Sequence, residues 1–254
     1  YIDSKYRSFF EDMAFIKYSA FSEAVKFADT AIAVGGDGTI LKCAKYLVGL
    51  DTKLLGINTG RLGFMASLES DRLDELERLI SGEYSVSERM MLETEICSVN
   101  KSFSATALND IVVSRIYSKI SDFEIYADEE LIGKYRADGA VFSTPTGSTA
   151  YSLSAGGPII EPDLECIEMN LLCPHSLFTR PVLFSPEREI RFSHSVEASA
   201  EVYISIDGGE PMVLDKEECL RIKKSEHKIH LIDMNGNKFY DSLNKKLMKS
   251  IKGD

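Results

Sequence analysis

The sequence predicts an α/β + β protein: an N-terminal Rossmann-like α/β domain, a C-terminal β-sandwich domain, and a C-terminal helix that returns to the first domain. Two changes of pattern support this organisation. Apolar runs alternate with helical patterns up to Gly82, and short alternating or β-branched segments follow. Near the end, apolar residues repeat every four positions from Leu243 onward. We expect the domains at 1–86, with 236–254 returning, and at 87–235.

The N-terminal part alternates helices and strands. Helices are predicted at 4–13, 22–27, 39–48 and 70–80, the last capped by Ser70 or Asp71 and ended by Gly82, and strands at 15–16, 31–34 and 53–57. Strands joined by a helical crossover lie parallel. The carboxyl ends of the strands at 31–34 and 53–57 should therefore lie side by side, where α/β sheets usually bind ligands.

The sequence GGDGT at 35–39 follows the strand at 31–34 and opens the next helix. Glycine lets the backbone approach a ligand closely, and a helix N-terminus favours phosphate. A carboxylate beside phosphate is repelled unless it binds a metal or accepts a proton from a nucleophile, so Asp37 is the candidate for chemistry. The alternative is that Asp37 only caps the helix.

The second part carries strand patterns separated by turn residues. Strands are predicted at 91–99, 104–114, 122–127, 189–192, 202–206 and 228–232. Short strands of this kind are typical of a sandwich or a barrel-like domain.

Three further segments carry polar side chains. The segment 138–160 is dense in Ser, Thr and Gly and contains Tyr151, which suits a nucleoside that hydroxyls bind and an aromatic ring stacks on. Asn58 follows a strand end, and Asn109 stands beside Asp110, an amide and a carboxylate able to bind an adenine edge and ribose hydroxyls. Each segment taken alone is equally compatible with an ordinary loop or turn.

Composition excludes several functional classes. The 254-residue chain has a net charge of −11, which argues against general nucleic-acid binding because that needs a concentrated basic surface. No apolar run approaches the roughly 20 residues of a membrane span. The five cysteines are scattered and never form a C-x-x-C pair, so we expect reduced thiols in a cytoplasmic protein.

Three other candidates have more ordinary interpretations. His175 is expected to be structural or interfacial. His227 and His230 lie three apart on a predicted strand, so they point to opposite faces and do not form a metal pair. Asp207 precedes two glycines, which favours a hairpin turn over a ligand site.

Taken in order, the four segments resemble the NAD kinase family. The resemblance lies in GGDGT at 35–39, N-x-G-x-L-G-F at 58–64, the Asn-acid pair at 109–110 and STPTGSTAY at 143–151. The glycine turn alone is similar to turns of lipid kinases and phosphofructokinases, whereas the ordered combination is specific. The resemblance implies transfer of the terminal phosphate of ATP, or of polyphosphate, to the 2′-hydroxyl of the adenosine ribose of NAD. It also implies Mg²⁺ or another divalent cation with ATP, and a homodimer or homotetramer.

The resemblance also assigns roles to single residues. It makes Asp37 the general base, and it makes Gly35, Gly36, Gly38 and Thr39 the phosphate cradle. It implies that Asn109 meets the adenine, Asp110 the ribose hydroxyls and Asp138 the nicotinamide end, that the dinucleotide pocket is lined by Ser143, Thr146, Thr149, Ala150, Tyr151 and Ser154, and that Asn58 and Phe64 lie near the NAD site. The chain departs from the family at Asp110, where glutamate is usual, and the family's opening strand with its Asn-Pro turn has no counterpart before Tyr1.

The sequence leaves two other functions open. One is a kinase for a lipid or sugar hydroxyl, which would share the acid in the glycine turn but would not need the nucleoside-like segment at 138–154. The other is a dinucleotide sensor without catalysis, which would have no use for Asp37 beside phosphate.

Overall fold

The computed structural model describes residues 1–60, 63–98, 103–115, 120–176, 179–194, 201–234, 236 and 239–252. The chain divides into two compact units, unit 1 with Tyr1–Glu88 and Ile229–Asp254, and unit 2 with Arg89–Lys228. Whether 1–86 with 236–254 and 87–235 fold as separate domains stays a prediction.

The elements follow one another in this order. The strands are β1 (Ile2–Asp3), β2 (Tyr18–Ser19), β3 (Thr30–Val34), β4 (Lys53–Asn58), β5 (Leu68–Glu69), β6 (Ser85–Cys97), β7 (Ser104–Ala107), β8 (Asp110–Arg115), β9 (Ser121–Ala127), β10 (Glu130–Ala137), β11 (Gly139–Ser143), β12 (Ile167–Leu172), β13 (Val182–Phe184), β14 (Ile190–His194), β15 (Val202–Ile206), β16 (Met212–Leu214) and β17 (Cys219–Asp233). The α-helices are α1 (Phe21–Ala24), α2 (Asp37–Ala44), α3 (Glu77–Ser81), α4 (Tyr151–Ser154) and α5 (Phe239–Lys252), and 3₁₀ turns occur at Ser4–Phe9, Val25–Phe27, Leu73–Leu76 and Gly147–Thr149.

Unit 1 is built around β4, which pairs in parallel with β3, with β5 and with the end of β17. The parallel pairing predicted for the strands at 31–34 and 53–57 is confirmed. Strands on both sides bury β4, and its Leu55 and Ile57 pack with Leu68 and Ile232 in the core. A Cβ on Gly56 would lie 2.4 Å from Ile40 Cδ1 of α2 and 2.9 Å from the backbone Cα of Ala66, so glycine at 56 allows both to pack closely on β4. This packing fixes the start of α2 beside the ends of β3 and β4.

Several N-terminal helices are shorter than predicted. The segment 4–13 forms only the turn Ser4–Phe9, in which no residue is buried, and a short helix without a packed apolar face is marginal. The predicted strand at 15–16 lies instead at Tyr18–Ser19. The helix predicted at 4–13 is thus confirmed only over Ser4–Phe9, as a 3₁₀ turn, and the strand predicted at 15–16 is wrong.

The predicted helix at 70–80 begins later than expected. Arg72 precedes the turn Leu73–Leu76 and makes no side-chain cap hydrogen bond, so neither Ser70 nor Asp71 caps it. Gly82 ends α3 with φ 75°, the left-handed conformation typical of a helix stop, as predicted.

Unit 2 is a sandwich of two antiparallel sheets. One sheet has the strand order β13-β12-β11-β8-β15-β16, and the other strands of the unit run in the order β10-β9-β14-β17, with β6 pairing β17 and β7. Side chains from both sheets form one core, in which Phe142 of the first sheet packs with Phe123 and Phe192 of the second. The rings of Phe123 and Phe192 stack with centroids 4.8 Å apart.

The sequence missed strands in this unit and joined two others. The predicted strand at 104–114 is two strands, β7 and β8, separated by Leu108 and Asn109. Strands β10, β11, β12, β13 and β16 were not predicted, because the polar β10 and the wholly buried β11 lack the alternation of a half-buried strand.

The tail is helical, as predicted, and α5 belongs to unit 1. Leu243 is buried, and the ring of Phe239 lies 6.3 Å from that of Phe64. The side chains of Leu247 and Ile251, on which the repeat also rests, lie outside the described residues, as do Arg61 and Leu62 of the segment 58–64. In the part of the chain that the structure describes, no helix combines the length and apolar character needed to cross a membrane.

Candidate active site

The glycine turn in unit 1 joins β3 to α2. Gly36 occupies the N-cap position with no side-chain cap hydrogen bond, and Asp37 is the first residue of the helix. The Gly35 φ of 152° favours glycine, and a Cβ there would collide with Thr39 Oγ1 at 2.3 Å. A Cβ at Gly36 or Gly38 would meet no described atom within 4 Å, so the space beside these two residues is open.

The Asp37 carboxylate accepts hydrogen bonds from a loop other than the glycine turn that carries it. Its Oδ2 accepts the Phe64 N–H at 2.9 Å, and its Oδ1 accepts the Met65 N–H at 3.2 Å. The alternative that Asp37 only caps α2 is therefore wrong, since Gly36 is the cap residue and the carboxylate binds amides at 64 and 65. The loop that follows β4 therefore holds the Asp37 side chain at the glycine turn.

Gly63 makes room for that carboxylate. A Cβ at Gly63 would stand 2.1 Å from Asp37 Oδ1. Any larger residue at 63 must displace Asp37 or the loop that binds it.

Asn58 has the hydrogen bonds of a turn-forming residue. It is 2% exposed, its amide nitrogen donates to Glu69 Oε2 at 2.9 Å, and its oxygen accepts the Gly60 N–H at 3.3 Å. A role for Asn58 or Phe64 beside NAD stays a prediction.

In unit 2, the Asn109-Asp110 pair lies where β7 ends and β8 begins. Asp207 grips this turn: its Oδ2 accepts the Leu108 N–H at 3.0 Å, and its Oδ1 accepts those of Asn109 and Asp110 at 2.8 and 3.1 Å. The Asp207 N–H donates in return to the Asp110 carbonyl oxygen at 3.0 Å.

Asp110 is a buried acid, 5% exposed. Burial first, and the charge of Asp207 second, together raise the pKa of Asp110 to about 7. The carboxyl group is therefore poised to gain or lose a proton near neutral pH.

The side-chain oxygen of Asn109 is buried and has no hydrogen-bond partner among the described residues. Buried polar atoms are nearly always paired, so the unpaired Asn109 amide oxygen is a candidate acceptor for a hydrogen bond from a ligand. Gly147 lies against this turn, because a Cβ there would be 2.1 Å from the Asn109 carbonyl oxygen.

The segment 143–154 is tied to the same turn. Thr144 donates its N–H to the Asn109 carbonyl oxygen at 2.9 Å and its hydroxyl to the Leu108 carbonyl oxygen at 2.6 Å. Ser143 and Thr146 are buried, and Tyr151 is 46% exposed. Ser143 lies opposite Asp110 across the β11–β8 pair, and Thr146, Thr149, Ala150, Tyr151 and Ser154 follow it in or beside the short helical turns of the same segment. A shared dinucleotide pocket for these residues with Asn109 stays a prediction.

A buried polar network of Ser152, Glu168 and Asn170 anchors the segment 143–154. Asn170 donates to Glu168 Oε1 at 2.7 Å and also bonds to Ser152 Oγ. Burial raises the pKa of Glu168, while hydrogen bonds from neighbouring side chains oppose that rise. A Cβ at Gly157 would collide with this network, at 2.2 Å from Glu168 Oε1, so glycine is required where the chain leaves α4.

Asp138 lies at the other end of β11 from Ser143. It precedes β11, whereas Ser143 ends β11, a separation of about 16 Å along an extended strand. Its Oδ1 accepts two hydrogen bonds from the Arg115 guanidinium, at 2.8 and 2.5 Å. The structure does not bring Asp138 to the Asn109 turn, and its role at the nicotinamide end stays a prediction.

The two halves of the chain match two domains of one family. Residues 4–84 match the ATP-NAD kinase N-terminal domain, and residues 108–234 match the ATP-NAD kinase C-terminal domain. The chain belongs to the NAD kinase family.

Curated NAD kinases from bacteria are similar over most of the chain. The NAD kinase of Moorella thermoacetica is 40% identical over 227 residues, which cover 89% of this chain and 73% of that protein. The NAD kinase of Clostridium perfringens is 40% identical over 224 residues, covering 87% of this chain and 80% of that protein.

Two solved NAD(H) kinase structures share the fold. Yeast NADH kinase complexed with NADH has a TM-score of 0.88 at 26% identity, covering 96% of this chain and 76% of that chain. An NAD kinase from Archaeoglobus fulgidus in complex with ATP has a TM-score of 0.75 at 28% identity, covering 96% and 93% of the two chains.

In this member of the NAD kinase family, Asp207 has a structural role that the sequence pattern did not predict. Asp207 lies in the turn between β15 and β16, as predicted, and its carboxylate accepts hydrogen bonds from the backbone N–H groups of residues 108–110. The signal present was the aspartate before two glycines at a strand end, and that pattern does not say which distant backbone it binds.

Proposed function

We propose that this chain is an NAD kinase, which transfers the terminal phosphate of ATP to the 2′-hydroxyl of the adenosine ribose of NAD and releases NADP and ADP. The observation that carries the proposal is the unpaired, buried side-chain oxygen of Asn109 beside Asp110 in a chain of this family.

The adenosine half of NAD suits the chemistry around Asn109. An asparagine amide can accept from the adenine amino group and donate to the neighbouring ring nitrogen, a bidentate pairing that discriminates adenine from other bases. Asp110 can accept ribose hydroxyls when ionised. The half-exposed ring of Tyr151 is available to stack on the base.

Asp37 is the proposed general base. The proton of the ribose 2′-hydroxyl passes to the Asp37 carboxylate as the oxygen attacks the terminal phosphorus, and the bond to ADP breaks. A carboxylate offers about four acceptor sites, so the bonds from Phe64 and Met65 are compatible with accepting this proton.

The phosphates of the donor would lie at the glycine turn. Gly36 and Gly38 leave open space, and the start of α2 presents N–H groups and partial positive charge. Gly35 and Thr39 complete the proposed cradle. The ATP complex of the Archaeoglobus relative supports ATP as donor, and the NADH complex of the yeast relative supports a dinucleotide acceptor.

A divalent cation, Mg²⁺ in the proposal, would neutralise charge on the triphosphate. The described residues contain no group of three or more His, Cys, Asp or Glu side chains able to hold a metal. An Mg²⁺ ion bound with the nucleotide would keep phosphate oxygens and water as most of its ligands.

A coupled assay that detects NADP tests the proposal. Purified protein is incubated with NAD, ATP and Mg²⁺, and parallel reactions replace ATP by polyphosphate, NAD by NADH, or NAD by a sugar or a diacylglycerol. NADP formation supports the proposal. Phosphorylation of the sugar or lipid without NADP formation, or NAD binding without any turnover, contradicts it. Light scattering on the same sample tests the proposed homodimer or homotetramer.

A further inference from the structure

We propose that Asp207 is a positioning residue for the dinucleotide: it does not contact the substrate, but it holds the backbone from which Asn109 and Asp110 reach the adenosine. This inference rests on the proposed function, because it assigns the adenosine half of NAD to that turn.

The hydrogen bonds of Asp207 converge on one short stretch. Both of its carboxylate oxygens accept backbone N–H groups of three successive residues, Leu108, Asn109 and Asp110, at 2.8 to 3.1 Å. Hydrogen bonds from N–H groups to a carboxylate are stronger than those between neutral groups. Three of them from consecutive residues hold the whole turn as one piece.

We call the three hydrogen bonds accepted by Asp207 the Asp207 clamp. The turn that carries Asp207 is itself held by strand pairing and hydrogen bonds. Strand β15 pairs with β8 so that Ile206 lies opposite Ile111, which brings the next residue, Asp207, to the start of β8. Asp207 has a left-handed φ of 49°, a conformation that Asp tolerates better than most residues. The Gly209 N–H donates to the Ile206 carbonyl oxygen at 2.9 Å and closes the turn that carries Asp207.

The clamp matters because of what projects from the turn. The Asn109 side-chain oxygen is buried and unpaired within the described structure, so its direction depends on the backbone that carries it. Asp110 is buried beside Asp207, and the charge of Asp207 contributes to the raised pKa of Asp110. Removing the Asp207 charge should therefore change both the aim of Asn109 and the pH at which Asp110 ionises.

Asp128 provides a matched control. It also has a left-handed φ, of 53°, its Oδ1 accepts the Glu189 N–H at 3.0 Å, and its own N–H donates to the Glu189 carbonyl oxygen at 2.7 Å. This second clamp lies in the turn between β9 and β10, away from Asn109. Asp207→Asn and Asp128→Asn therefore each remove one negative charge from a turn with a left-handed aspartate, and Asp128→Asn in addition breaks the ion pair of Oδ2 with Arg188 Nη1 at 2.5 Å.

The experiment compares these two variants with the wild type by calorimetric NAD binding, steady-state kinetics and amide hydrogen exchange. In metal sites, loss of a group that orients a ligating side chain costs about ten- to hundredfold in affinity or activity, and we take this as the scale for Asp207. We expect Asp207→Asn to raise the Kd and KM for NAD by at least about tenfold, to leave the KM for ATP within about twofold, and to speed amide exchange at 108–110. The pH midpoint of NAD binding should move down in Asp207→Asn only, and Asp128→Asn should bind NAD like the wild type.

Each outcome has a distinct meaning. Unchanged NAD affinity in Asp207→Asn, or an equal loss in Asp128→Asn, overturns the positioning role. If Asp207→Asn does not fold, amide hydrogen exchange of the wild-type protein tests the proposal. Slow exchange at 108–110 supports the positioning role of Asp207, and fast exchange overturns it. A wild type that neither binds NAD nor forms NADP contradicts the proposed function, whereas the exchange measurement still tests the clamp.

Discussion

Asp207 and Asp110 exchange two hydrogen bonds: the Asp207 carboxylate accepts the Asp110 N–H at 3.1 Å, and the Asp207 N–H donates to the Asp110 carbonyl oxygen at 3.0 Å. The two acids are thus held side by side, and Asp207 also accepts the N–H groups of Leu108 and Asn109. Burial disfavours the charged form of Asp110 and is the main reason that its pKa is raised to about 7.

Stability should depend on the ionisation of Asp110. Because the folded pKa lies above the unfolded value of 3.8, the folded protein keeps a proton that the unfolded chain releases between about pH 4 and pH 7. The contribution of Asp110 to stability is complete below pH 4 and is lost as the pH rises through about 7. We expect the melting temperature of Asp110→Asn, relative to the wild type, to increase from pH 5 to pH 8. Glu129→Gln, which removes an exposed carboxylate of the same unit, should show no such trend, and parallel curves for Asp110→Asn would disprove the coupling.

Replacement of the proposed base should separate binding from turnover. A positioned general base contributes typically about 10²- to 10⁴-fold, so Asp37→Asn should lose that much kcat while its Kd for NAD changes little. The new amide group can accept only one of the N–H groups of Phe64 and Met65, and we expect a loss of about 1–3 kcal/mol in unfolding free energy. Asp51→Asn, an exposed aspartate of the same unit, is the control for charge. Near-normal kcat in Asp37→Asn would exclude it as the base.

Gly63 should be required through Asp37. Alanine at 63 places a Cβ 2.1 Å from Asp37 Oδ1, and small displacements of a catalytic group cost up to about a hundredfold in rate. We expect Gly63→Ala to lower kcat by about ten- to hundredfold although Asp37 is retained. A Cβ at Gly60 meets no described atom within 4 Å, so Gly60→Ala is the matched control. Equal kcat values in the two variants would show that Gly63 does not act on Asp37.

Tyr151 tests the adenine pose. Stacking of a base on an aromatic ring is worth about 1–3 kcal/mol by alanine substitution, so Tyr151→Ala should weaken NAD binding by roughly 5- to 150-fold. Tyr151→Phe keeps the ring and should bind NAD nearly as the wild type does. Tyr151 is 46% exposed, so thermal unfolding should change little in either variant. Loss of NAD affinity in Tyr151→Phe as well would point to the hydroxyl instead of the ring.

Local pattern accounts for part of the fold and of the site. The strand before Gly35, the helix after it and the parallel pairing of β3 with β4 follow from apolar runs, glycines and crossover length, all of which are readable within about forty residues. Strands β10 to β13 escaped prediction, because their side-chain pattern reflects burial against the opposite sheet or exposure at a sheet edge.

The amino-acid pattern predicts the glycine turn with Asp37 at the end of a buried strand, the change from α/β to β structure, and the motifs of the NAD kinase family. The folded chain adds that Asp37 binds the amides of Phe64 and Met65, that Asp207 holds the Asn109 turn, and that Asp138 lies at the other end of β11. The physical reason is range: turn and helix preferences act over a few neighbouring residues, whereas the partners of Asp37 and Asp207 lie 27 to 99 positions away along the chain and meet only when strands pair.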